Sequence, residues 1–343
     1  MEPIKINYQN FIDNNKSINK EIELAFGEKG LGIILIEDIP NLKETRLELL
    51  KLIKKFAELP EEVKNKYSHP ESNYSFGWSH GKEKMKDNIP DFVKGSYYAN
   101  PINDIITNDI NLKNKYPELY SDNIWPTKEL PNLELYFKKI SDIQIQIGYR
   151  MCKLFDIFLN EKTNKLHKLN TIFNLISKSN TYKGRLLHYF SNKNNEGNLC
   201  GWHVDHGGIT ILLSPLYFDQ EKIVNLIDSC LYVKSFANKN VKINIPENCI
   251  AIQTGEMIQY FSGGYIRATP HCVKSSPNNN LTREQFALFM DCSSEQKLIK
   301  PSYIKEDFDI CHNLPEGVPK LKNRLIDTNN YQEFVKKTIN CYY

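Results

Sequence analysis

From about 183 to 292 the chain is a succession of short apolar and β-branched runs separated by Gly, Asn and Pro. The runs cover 185–190, 202–213, 231–235, 241–245, 249–253, 257–261, 266–273 and 285–290. Many short strands at near-regular spacing predict a β-sandwich or barrel. Before this region the period is helical. Apolar residues recur every three or four positions over 18–26, 42–59 and 133–160, and the first two stretches stop at Gly27 and Pro60. Gly32-Ile33-Ile34-Leu35-Ile36 reads as one buried strand, 60–63 as the start of a short helix, and 73–81, rich in aromatics and glycine, as a loop. Polar loops are expected over 192–198 and 278–280, and a last helix over 331–339. The predicted fold class is mainly β with packed helices, the helices concentrated in the N-terminal part.

Inside the β-rich region stands Gly201-Trp202-His203-Val204-Asp205-His206-Gly207-Gly208, followed by Ile209-Thr210-Ile211-Leu212-Leu213. Read as one strand, it turns His203 and Asp205 to the same face, because strand side chains alternate. An imidazole and a carboxylate on one face are two-thirds of a facial metal site. His271, in Thr269-Pro270-His271-Cys272-Val273, is the candidate for the third ligand. Two His and one carboxylate leave the other positions of an octahedral ion open, as non-haem Fe(II) oxygenases require. A bare H-x-D is common, and it is the strand setting and the room beside Gly207-Gly208 that raise its weight. His206 falls on the opposite face and is read as structural, Trp202 as a core aromatic, and His188 as packed or exposed.

Arg283, in Thr282-Arg283-Glu284-Gln285-Phe286, is a candidate to clamp an organic acid with its cationic fork. Tyr189 is a candidate to add a hydroxyl to that clamp. Tyr74, Phe76, Trp78, Tyr97 and Tyr98 are either pocket walls or core.

Composition bounds the alternatives. The 343 residues carry a formal net charge of +3 with 25% charged residues, a balance that calls for neither nucleic acid nor an anionic membrane. The eight cysteines are scattered, without a C-x-x-C pair, which disfavours a zinc ribbon or thioredoxin-type site. Met1-Glu2-Pro3-Ile4-Lys5 lacks the apolar core of a signal peptide, and no apolar run is long enough for a bilayer. A cytoplasmic, reducing compartment is therefore expected. The oligomeric state is left open.

These motifs together resemble the isopenicillin N synthase-like group of 2-oxoglutarate/Fe(II)-dependent dioxygenases. His203 to Thr210 is similar to the family's H-x-D-H-G-x-x-T, and Arg185-Leu186-Leu187-His188-Tyr189 to the strand before it. Gln253-Thr254-Gly255-Glu256-Met257-Ile258-Gln259 resembles its G-D/E-x-L/M-E/Q turn, and Thr269 to Val273 its T-P-H-R-V. Gly32 to Ile36 and Leu59-Pro60-Glu61-Glu62-Val63-Lys64 resemble its G-F-F strand and L-P-x-E-x-K helix.

The resemblance implies a double-stranded β-helix, or jelly roll, over 181–295, with an N-terminal helical and strand region, 1–180, packed on it and a C-terminal extension, 296–343. It implies Fe(II) on His203, Asp205 and His271, the far carboxylate of 2-oxoglutarate on Arg283, and help from Tyr189. Gln285 stands where the family has Ser, which bears on the second cosubstrate contact. The implied activity uses O2 to hydroxylate or otherwise oxidise a small molecule, releasing succinate and CO2. Two readings stay open beside it: an isopenicillin N synthase-type oxidase that binds no 2-oxoglutarate, and a non-catalytic metal- or ligand-binding barrel. A zinc hydrolase is disfavoured by the donor set and the lack of an adjacent general base.

Overall fold

The computed structural model describes residues 2–82, 90–191, 198–226, 228, 230–275, 280–308 and 314–342. The N-terminal part runs β1 (Ile4–Asn7), α1 (Tyr8–Ile12), α2 (Asn19–Phe26), β2 (Ile33–Glu37), α3 (Leu42–Ala57), α4 (Glu61–Lys64), β3 (Gly77–His80), β4 (Lys94–Ala99), α5 (Ile110–Lys115), α6 (Pro117–Tyr120), α7 (Leu133–Lys162) and α8 (Thr171–Ser177). Next come β5 (Lys183–Tyr189), β6 (Asn198–His203), β7 (Ile209–Leu213), β8 (Leu216–Asp219), β9 (Lys222–Val224), β10 (Leu231–Lys234), β11 (Asn240–Ile243) and β12 (Cys249–Thr254). The chain ends with α9 (Glu256–Phe261), β13 (His271–Lys274), β14 (Thr282–Met290), α10 (Leu321–Leu325) and α11 (Tyr331–Tyr342).

Two sheets form the core. The major sheet has the order β1-β2-β12-β7-β14-β5-β4-β3, with β8 also on β14 and β9 on β8. The minor sheet is β11-β10-β13-β6. Alternation along the central strands shows what each face meets. Ile33 and Leu35 of β2 and Cys249 and Ala251 of β12 pack with Leu231, Val233 and Ile243 of the minor sheet. Ile34, Ile36, Ile250 and Ile252 turn the other way, into the cluster that holds the apolar faces of α3 and α7. Strands covered on both faces read as continuous apolar runs, which is why β2 and β12 were visible in the sequence. Of α7, Phe137, Ile140, Ile147, Met151, Phe155 and Phe158 are buried, a helical stripe against the major sheet.

The jelly-roll expectation holds as two facing sheets, antiparallel except for the β1–β2 pair, and not as a closed barrel. Four local readings change. The stretch 202–213 is two strands, β6 ending at His203 and β7 starting at Ile209, and they belong to different sheets. The run 257–261 is helix α9; all of its residues are buried, so no amphipathic period distinguished it from a strand. The aromatic stretch 73–81 contains strand β3, whose pairing with β4 puts the major sheet's edge there. In 266–273 only the end, from His271, is strand. The polar loops expected over 192–198 and 278–280 fall almost wholly outside the described residues.

Candidate metal centre

His203 closes β6 and His271 opens β13. These neighbouring antiparallel strands pair the two histidines directly, with ring centroids 4.3 Å apart. Asp205 is not on a strand, so alternation does not explain its position. It lies in the crossing from the minor to the major sheet, and that crossing is fastened by backbone bonds. Glu256 N donates to Asp205 O at 2.8 Å, Gly255 N to Gly208 O at 2.7 Å and Met257 N to Gly207 O at 3.1 Å. The start of α9 thus holds the turn that presents the carboxylate.

Asp205 Oδ1 is 3.6 Å from Nε2 of both His203 and His271. The remaining heteroatoms of the three side chains are occupied. His203 Nδ1 lies 2.8 Å from Gly201 O, His271 Nδ1 3.2 Å from Thr269 O, and Thr210 Oγ1 donates to Asp205 Oδ2 at 2.6 Å. A backbone carbonyl at Nδ1 fixes the proton there and leaves the Nε2 lone pair facing inward. The three inward donor atoms lie within 4.8 Å of one another. Donors about 2.1 Å from one ion, at right angles to each other, are roughly 3 Å apart, so small side-chain shifts suffice to close on a divalent metal. Among the described residues, no other group of three His, Cys, Asp or Glu has this geometry. Electrostatics agree at Asp205 and His271. At His203 burial pulls the imidazole down, but Cys200 and Asp205 outweigh it and hold it well above its usual range, so a metal there would displace a proton. Burial pushes the Asp205 carboxyl up, but the His271 and His203 charges and the Thr210 bond outweigh it and hold it well below the usual carboxylate range. Burial and the neighbouring His203 charge hold His271 down to about 4, the neutral state of a metal ligand.

His206 stays out of this group, as read from the sequence. Its ring stacks on Tyr331 of α11 with centroids 6.4 Å apart. His188 is buried and hydrogen-bonded to Glu284. Trp202 packs beside Val204, Ala268 and Val318. Phe76, Trp78 and Tyr97 are buried in the core; neither they nor Tyr74 and Tyr98 line the cavity described next.

A cavity opens between the sheets, lined by His203, Asp205 and His271 at one end and by Arg283, Tyr189 and Gln285 at the other. Arg283 on β14 and Tyr189 on β5 are register partners, and the guanidinium lies 4.9 Å over the Tyr189 ring. Arg283 Nη2 donates to Gln285 Oε1 at 2.7 Å, and Gln285 Nε2 donates to Leu213 O at 2.5 Å. The Gln285 amide is therefore turned onto the protein and braces the arginine. The Tyr217 side chain is also bonded to Arg283. Sequence reasoning gave no role to Thr210 or Tyr217. Thr210 stood inside the quoted H-x-D-H-G-x-x-T motif, while nothing in the sequence marked Tyr217.

The family model for the N-terminal region of non-haem dioxygenases in morphine synthesis matches residues 4–128. Solved structures share the fold. A full-length Neurospora crassa protein crystallised with alpha-KG has a TM-score of 0.70 at 20% identity, covering 99% of this chain and 96% of that one. A Caulobacter crescentus protein assigned to the 2OG-Fe(II) oxygenase family has a TM-score of 0.70 at 16% identity over 99% of both chains. JOX2, solved with 2OG, Fe and JA, has a TM-score of 0.65 at 17% identity over 98% of this chain and 89% of that one. A sequence search of curated proteins returned no match.

The fold is the one these structures share, and the family model matches the N-terminal part of the chain. The chain is thus similar in fold to structures of non-haem Fe(II)/2-oxoglutarate oxygenases, and His203, Asp205 and His271 are the donor types that hold Fe(II). No helix among the described residues is long and apolar enough to cross a membrane.

Proposed function

We propose that this protein couples oxidative decarboxylation of 2-oxoglutarate, to succinate and CO2, to the hydroxylation or other oxidation of a small molecule. His203, Asp205 and His271 hold Fe(II), and Arg283 and Tyr189 hold the cosubstrate, while Gln285, expected to contact it, instead braces Arg283 because both ends of its amide are taken by the protein. The observation that carries this reading is that all three donors present one inward atom while their other polar atoms are satisfied. When bound, Fe(II) with 2-oxoglutarate and O2 supplies the oxidant.

The protein's residues bind, orient and exclude water. Arg283 pairs with the distal carboxylate of the cosubstrate in a largely apolar cavity, where such a pair is strong. Gln285 and Tyr217 set the plane of its guanidinium. Tyr189 supports the guanidinium from below and offers its hydroxyl. Leu187, Leu212, Ala287 and Phe289 line the cavity between Arg283 and the triad and keep it dry. In this reading 181–295 is the catalytic core, 1–180 packs on it and 296–343 is an extension behind the metal turn. A small-molecule substrate is supported by the Neurospora protein, whose structures include complexes with thymine and 5-formyluracil.

The test is an anaerobic titration of the Fe(II)-loaded protein with 2-oxoglutarate, followed through the metal-to-cosubstrate charge-transfer band. A saturable band is expected. Iron binding without any band would sink the 2-oxoglutarate assignment in favour of an oxidase that takes its electrons from the substrate alone.

A further inference from the structure

The inner face of β12 is apolar until it reaches the metal end of the cavity. Cys249 and Ala251 pack against the minor sheet. Alternation puts Gln253 on the same face, and there it lines the cavity together with His203, Asp205 and His271. Its register partner on β7 is Thr210, the residue whose hydroxyl holds Asp205. Directly opposed residues of neighbouring strands have Cβ atoms about 5 Å apart, so the Gln253 side chain rises next to the one that fixes the carboxylate. Gln253 is 2% exposed, and among the described residues its Oε1 finds no hydrogen-bond donor.

A buried amide oxygen without a donor is unfavourable, and native proteins leave few of them without a water or an ion to meet. An apolar side chain would pack at this position without that cost. The donor that Gln253 awaits is not the cosubstrate, because 2-oxoglutarate as a dianion presents only acceptor oxygens. A divalent ion on three protein donors fills its remaining positions from outside, and water on such an ion is a strong donor. Sheet order says which position faces the amide. β12 lies on one side of β7, while β14 and β5, with Arg283 and Tyr189, lie on the other. A cosubstrate anchored on Arg283 approaches the ion from the β14 side and leaves the β12 side to water.

We infer that Gln253 accepts a hydrogen bond from a water on the metal, at the position that 2-oxoglutarate leaves. It is a positioning residue, reaching the ion only through that water. This rests on the metal and cosubstrate assignments proposed above. Gln253→Met keeps nearly the same shape without the amide, and Mn(II) serves as the probe. In the metal-free protein the substitution removes an unpartnered oxygen, so the denaturation midpoint stays or rises. Mn(II) affinity, read from the spin resonance of the free ion, falls about tenfold. With saturating 2-oxoglutarate, relaxation of isotope-labelled water shows a bound water that leaves Mn(II) severalfold faster in the variant. Gln253→Leu carries the same expectations and serves if the methionine variant fails to fold. A lower midpoint in the metal-free variant marks a structural glutamine and overturns the inference, as does Mn(II) affinity within about twofold of wild type. Weaker Mn(II) binding with unchanged water exchange overturns it too, since the amide would then act on Asp205 directly. Wild-type protein that binds no Mn(II) refutes the metal assignment itself, whereas normal Mn(II) and 2-oxoglutarate binding with no effect of the substitution refutes this inference alone.

Discussion

His203, Asp205 and His271 each spend one heteroatom on the protein and turn the other inward. That division of labour makes the three side chains separable by experiment from the histidine beside them. His271→Ala is expected to abolish turnover and stoichiometric Fe(II) binding, whereas His206→Ala keeps its iron and loses only the stacking on Tyr331. Metal content measured on both purified variants decides this, and full iron in His271→Ala would refute the assignment. At the other end of the cavity, Arg283→Ala removes a charge-assisted pair worth about 1.5–3 kcal/mol, so affinity for 2-oxoglutarate should fall roughly ten- to a hundredfold. Wild-type titration behaviour in that variant would mean that the distal carboxylate lies elsewhere. These donors were legible in the sequence because their chemistry resides in residue type. Gln285 was legible only as a departure. Its amide bonds to Leu213 O depend on a strand neighbour 72 positions away, which no local pattern discloses.

Elements were legible where burial leaves a period. Helices α2, α3 and α7 carry one apolar stripe, and β2 and β12 are apolar except at their C-terminal ends. The crossing at 204–208 was not, because β-formers flank it on both sides and alternation seemed to run through. Its path is set by close backbone packing. A Cβ on Gly255 would come within 2.2 Å of Gly207 O and 3.0 Å of Asp205 O, and one on Gly208 within 2.4 Å of Met290 O. Glycine is needed at these positions for the approach of one backbone to another. Gly255→Ala must push α9 off the turn and is expected to cost about 1–3 kcal/mol. The Asp205 carboxylate moves with the turn, so Fe(II) affinity should fall in the same variant. Chemical denaturation and iron titration of that variant check both effects, and unchanged iron affinity would detach the turn from the site.

Across the whole molecule, the C-terminal segment was read only as a polar tail with one helix, yet it backs the metal turn. Arg324 of α10 makes a two-pronged pair with Glu256 of α9, its Nη1 donating to Oε2 at 2.7 Å, and Nη1 also reaches Thr338 Oγ1 at 3.0 Å. Tyr342 of α11 accepts from Val204 N at 3.3 Å. Arg324 and Glu256 are 1% and 4% exposed, so removing either partner strands a buried charge. Arg324→Ala should cost about 3–5 kcal/mol, read as a lower denaturation midpoint. A loss under 1 kcal/mol would mean that Glu256 finds water or another partner. Such long-range ion pairs leave no trace in composition or periodicity, which is why this contact was not foreseen.

The cavity has its imidazoles on the minor sheet, its arginine on the major sheet and its carboxylate on the strap between them. In the proposed assignment, iron and cosubstrate therefore clasp two leaves that otherwise meet through side-chain packing. By mass action, a ligand at a hundredfold its dissociation constant adds about 2.7 kcal/mol to stability. Redox-inert Mn(II) should accordingly raise the melting temperature, and 2-oxoglutarate should raise it further only when the metal is present. The empty protein would be the form most exposed to proteolysis, so a shortage of iron would act on how long the protein lasts as well as on how fast it turns over.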